Sequence, residues 1–132
     1  MPSVTQISAT KLWIARTMSG IAVLFLIFDT VIKLIRESHA VEGTTQLGYP
    51  DSSVVILGVI EAVCLALYVI PRTAVIGAIL FTGYLGGAVA THIRLENPLF
   101  SHILFPVYIA ILLWGSLYLR EQRLKTLIPI RQ

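Results

Sequence analysis

Residues 73–91 read TAVIGAILFTGYLGGAVAT, a run without a single Asp, Glu, Lys or Arg. At 1.5 Å per residue, a helix of that length covers about 28 Å, close to the roughly 30 Å apolar core of a bilayer. Nothing in the run favours one helical face over another, as expected of a helix with apolar surroundings on every side. Three further stretches repeat the pattern. Residues 103–119 carry no charge, residues 53–70 are interrupted once by Glu61, and residues 11–35 contain an uncharged centre at 17–28. The last can span only if Asp29 and Lys33 lie near one membrane face.

Composition agrees. The chain has 132 residues, of which 56% are hydrophobic and 13% charged. Soluble domains carry about 25% charged residues, and so small a soluble core could not hide this many wholly apolar turns. The length allows a single domain, residues 1–132. The net charge of +3 implies no nucleic-acid partner, because Lys and Arg sit at the ends of apolar stretches, where headgroups and topology account for them. Ser38-His39-Ala40 loosely resembles a signal cleavage site, but Asp29, Lys33, Arg36 and Glu37 separate it from the apolar stretch. The first segment is therefore read as a retained helix. Cys64 stands alone, which excludes an internal disulfide or a thiolate metal cluster.

The expected architecture is all-α, an antiparallel up-down bundle of four transmembrane helices at about residues 11–35, 53–70, 73–92 and 102–120. Pro71-Arg72 makes a tight turn between the second and third. Asn97-Pro98 marks the turn before the fourth, and residues 36–52 form a loop long enough to fold over the bundle mouth. Orientation follows from the basic residues. Lys11, Arg16, Arg72, Arg120, Arg123, Lys125 and Arg131 fall on one side, and Lys33, Arg36 and Arg94 on the other. The expectation is a multi-pass protein of the cell inner (cytoplasmic) membrane with both termini cytoplasmic. Gly83 and Gly87, four apart, are expected where the third helix packs closely on a neighbour, or in an oligomer face.

Charges inside a span cost about 2.5–3.5 kcal/mol each on insertion scales and usually face the bundle interior or water. Asp29 and Lys33 share a helical face and can pair. With His92 and Arg94 they fall toward the outer membrane face, and Glu42 lies in the loop on that side; Glu61 is deeper. The expected candidate site is thus an outward-opening pocket of Asp29, Lys33, Glu42, Glu61, His92 and Arg94, binding a small ligand or moving protons. His39, His92 and His102 lack the spacing of a helical metal site, so no metal is expected. No nucleophile–base motif, phosphate loop or dinucleotide fingerprint is present, so no catalytic residue is assigned and no cofactor is visible.

Residues 71–80, PRTAVIGAIL, and 82–94, TGYLGGAVATHIR, resemble the core signature of the DoxX-like membrane proteins. Phe28-Asp29 with Lys33-Leu34, residues 46–50 (QLGYP), Leu104-Phe105-Pro106 and residues 115–123 are similar too. The resemblance covers nearly the whole chain and implies a four-helix integral membrane protein. Relatives in that family include a small subunit of a thiosulfate:quinone oxidoreductase, proteins tied to redox stress and membrane chaperones. The resemblance therefore implies a quinone- or lipid-like ligand and an accessory place beside a redox or other membrane partner, not enzymatic activity of its own. Two other readings stand beside it: a small transporter using the charged residues, and a chaperone-like membrane protein without a ligand.

Overall fold

The computed structural model describes residues 8–127, so Arg131 of the basic set lies outside the described residues. The described chain is all-helical. Helix α1 (Ala9–Leu34) opens on Ser8, whose hydroxyl accepts from the Lys11 amide at 3.2 Å. It is followed by α2 (Ser38–Gln46), α3 (Ser53–Val69), α4 (Ala74–Arg94), a π-helical turn at Leu99–Ile103, α5 (Phe105–Arg120) and α6 (Gln122–Leu127). Three segments are long and apolar enough to cross a membrane: Ala9–Leu34, Ala74–Arg94 and Leu99–Arg120. Helix α3, with 17 residues, reaches about 26 Å, the low end of what can span.

Each of the four long helices packs on two others. Helix α1 lies against α3 and α5, and α4 lies against the same two. The register is visible in single contacts. Near one end the Ser116 hydroxyl donates to the Ala15 carbonyl at 2.6 Å. Ten residues further along α1, the Phe25 ring meets Phe105 edge to face at 5.1 Å. Position rises along α1 as it falls along α5, so the two run antiparallel. The interior holds Leu26, Tyr68, Phe81, Leu113 and Leu117, all at or below 2% exposure. Leu24, Phe28, Ile56, Val63, Ile79 and Ile111 point outward instead. That apolar shell suits lipid and would be a liability in water.

Three expectations need correction. The segment 36–52 is not simply a loop, because it contains α2. The Glu37 carboxylate caps that helix by accepting from the His39 and Ala40 amides at 2.8 and 3.3 Å. The last long helix begins at Phe105 rather than near 102. Pro106 has no N–H and its ring would clash with the carbonyl four residues back, so the chain before it widens into a π turn, with the Ile103 amide reaching back to Pro98. Finally, Gly83 and Gly87 are not at a tight helix contact: a Cβ on either would meet nothing within 4 Å. The close approach is at Gly77, where a Cβ would collide with the backbone of Leu67 and Tyr68. The short turn through Pro71-Arg72 forces the start of α4 onto the end of α3, so the steric demand falls on the glycine nearest that turn.

Candidate functional site

Lys33 organises the polar interior. It stands in the last turn of α1, and its ammonium reaches inward to three partners: Asp29 Oδ2 at 2.6 Å, Tyr84 Oη at 2.7 Å and Glu61 Oε2 at 2.9 Å. An ammonium has three hydrogens, so Lys33 is fully engaged. The Tyr84 hydroxyl in turn donates to Glu61 Oε2 at 3.1 Å. Three helices thus meet at one point, α1 through Asp29 and Lys33, α3 through Glu61 and α4 through Tyr84. Gly58, one turn before Glu61, makes this possible, since Lys33 Cβ would lie 3.0 Å from a side chain there.

Exposure grades across the group. The Glu61 side chain is 0% exposed and Asp29 27%. Glu61 Oε1 is buried without a hydrogen-bond partner. An unsatisfied buried acceptor is costly, and this one sits inside a cluster of two carboxylates and one ammonium.

The cluster forms one wall of a cavity of about 270 Å³. Its other walls are mainly apolar: Phe25 and Leu26 from α1, Leu57 from α3, Leu85 and Ala88 from α4, and Phe105, Pro106 and Ile109 around the start of α5. A second, more polar cavity of about 450 Å³ lies beyond it, between α2, the end of α1 and the chain around Asn97 and His102. Asp29, Lys33, Thr44, Leu47 and His92 line both. The second cavity is a vestibule to the first, and helix α2 and the turn after it border both. They are held by the Tyr49 hydroxyl on Thr91 Oγ1 at 2.7 Å and by Arg94, which donates to the Leu47 carbonyl at 3.0 Å.

Of the expected site residues, the cavity brings together Asp29, Lys33, Glu61 and His92. Arg94 lies outside it and fastens the turn after α2, with its guanidinium packed on Gly48, whose φ of +90° suits a residue without a side chain. Glu42 lines neither cavity and is exposed on α2. Gly87, expected to serve packing, lines the cavity. Sequence reading missed Tyr84, Tyr49 and Thr91. Tyr84 carried a signal, the one phenol in a run whose other hydrogen-bonding side chains are threonines. At the rim, the Glu37–His39 pair at 2.9 Å lowers the Glu37 carboxyl and raises the His39 imidazole from their ordinary values, each by hydrogen bonding to the other.

The sequence profile of the DoxX-like family matches residues 17–116, a stretch that holds every residue of the polar cluster and every residue that lines either cavity. The chain belongs to that family, and it is a membrane protein built as a helical bundle. No curated protein and no solved structure matches it.

Proposed function

We propose that this member of the DoxX-like family binds one small amphipathic molecule, quinone- or lipid-like, and serves as the accessory subunit of a redox system in the cell inner membrane. In this reading all four long helices cross the bilayer, both termini are cytoplasmic, and the vestibule over α2 opens outward. The observation that carries the proposal is the asymmetry of the cavity: one wall of Asp29, Lys33, Glu61 and Tyr84, and the remainder of aliphatic and aromatic side chains. Ligand sites characteristically combine apolar walls with a few convergent polar groups. A volume of about 270 Å³ suits a ring or headgroup rather than a whole lipid, so a chain attached to it would extend between helices. In this reading an electron carrier comes from the partner, since the sequence carries no dinucleotide fingerprint and a single cysteine.

Native mass spectrometry of the detergent-extracted protein tests this. The proposal expects a non-covalent small-molecule adduct that is lost when Ala88→Phe fills the cavity. Protein released bare under gentle activation, or an adduct indifferent to Ala88→Phe, would contradict it. Orientation is tested separately by a C-terminal reporter, which should be active only on the cytoplasmic side.

A further inference from the structure

The polar wall has a charge problem that hydrogen bonds alone do not solve. Asp29 and Glu61 share a single counter-ion, Lys33, through Oδ2 at 2.6 Å and Oε2 at 2.9 Å. Because both oxygens contact the same nitrogen, the two carboxyl groups are close neighbours. Two carboxylates at that separation resist double ionisation, more so away from water. The groups facing the pair are Lys33 on α1, the buried Cys64 thiol one turn along α3 from Glu61, Tyr84 and His92 on α4, and Tyr49 from the turn before α3; the α5 wall, Phe105, Pro106 and Ile109, contributes no charge. Lys33 has spent its three hydrogens and Tyr84 its one, yet Glu61 Oε1 still lacks a donor. What is missing at Oε1 is a hydrogen.

We infer that the Asp29–Glu61 pair is a proton-binding site, holding one proton between the two carboxyls at neutral pH and exchanging it with the vestibule on the α2 side through Asp29. With that proton the cluster is electrically neutral, as a group walled by apolar side chains within a membrane should be. It also gives Glu61 Oε1 a hydrogen, which Oε1 shares with Asp29. The exchange route follows from the gradient of exposure. Asp29 is 27% exposed and lines both cavities, whereas Glu61 is 0% exposed and lines only the inner one. A molecule in the inner cavity therefore sits against a group able to give or take a proton, and that group is replenished from one side only. This goes beyond the proposed ligand class and does not depend on it.

Infrared spectroscopy of the reconstituted protein at neutral pH reads the proton directly. Wild type should show the C=O band of one protonated carboxyl, and labelling with ¹³C-glutamate or ¹³C-aspartate should shift it. Glu61→Gln and Asp29→Asn should each abolish the band, because either change leaves a simple ion pair with Lys33. In D₂O the wild-type band should shift promptly. A wild-type spectrum without a protonated carboxyl overturns the inference even if neither variant folds. A band that survives in both variants also overturns it. A band that fails to exchange in D₂O over hours contradicts the route through Asp29.

Discussion

The two ends of the bundle are built from the same helices but do different work. At the end that carries the described termini, the centre between the four helices is filled, and the hollows lie outside it, along α1 and between the Pro71-Arg72 turn and α6. Tyr68 is 1% exposed, stacks edge to face with Phe81 at 6.4 Å and donates to the Leu113 carbonyl at 2.8 Å. Gly77 admits the α3 backbone, and Ser116 ties α5 to α1. At the end that carries α2, the same four helices leave a cavity, and two acids, a lysine and a tyrosine face it. Gly87 lines open space there, where Gly77 at the other end touches backbone. A bundle that needed only to be stable could be filled at both ends with side chains of the first kind. Polar groups concentrated at one end, beside unfilled volume, mark that end as the working one.

The sharpest way to break the comparison is to remove the cation. Lys33→Met leaves Glu61 and Asp29 without their counter-ion and should cost about 3–5 kcal/mol, read as a lower melting temperature in detergent. Adding Asp29→Asn to it should recover part of the loss. A Lys33→Met protein that melts like the parent would mean the cluster is not a buried network. Next, glycine should matter only where it touches something. Gly77→Ala should destabilise by about 1–3 kcal/mol, the range for overpacking, while Gly87→Ala should stay within about 0.5 kcal/mol of the parent. Equal losses at the two positions would erase the distinction between the ends.

Smaller effects sharpen the picture. Tyr68→Phe removes one buried hydrogen bond and should cost about 1 kcal/mol, whereas Tyr84→Phe should alter the infrared signature of the acid pair. Glu37→Ala removes the α2 cap and should speed hydrogen exchange in residues 38–46 while leaving α3 unchanged. The Glu37–His39 contact adds a pH dependence with two limits. The raised His39 value means its contribution is present in acid and fades as pH rises through that value. The lowered Glu37 value means its contribution is lost as pH falls through it. Protection of the α2 amides, relative to their intrinsic exchange at each pH, should therefore be greatest between the two. The least effect is expected at Glu96, a non-glycine residue at φ +55° that closes α4. Glu96→Gly should be neutral or stabilising by up to about 1 kcal/mol, as left-handed helix ends favour glycine.

Much of this was legible from the chain alone, because lipid exposure imposes apolarity on whole turns. The runs at 73–91 and 103–119 could hardly be anything but buried or membrane helices. The four-residue spacing of Asp29 and Lys33 located one ion pair that depends on a single helix. What sequence could not supply was register between helices. Glu61 reaches Lys33 only because Gly58 lets α1 and α3 approach, and no local pattern encodes that pairing. Helix α2 was hidden for another reason: SHAVEGTTQ is short, and Val41, Gly43, Thr44 and Thr45 offset its helix formers, so it depends on the Glu37 cap and on contacts with α1 and α3. Arg94 read as a member of the pocket because its partner, the Leu47 carbonyl, is a backbone atom that any residue could provide.

The measurement that bears most directly on the difference between the two ends is photolabelling with a small aromatic amphiphile carrying a diazirine, followed by peptide mapping of the reconstituted protein. A ligand cavity at the α2 end predicts saturable labelling at Leu85, Ala88, Phe105 and Ile109, competed by unlabelled probe and lost in Ala88→Phe. Labelling spread without saturation over the outward-facing Leu24, Ile56 and Ile111, with the cavity residues untouched, would contradict it.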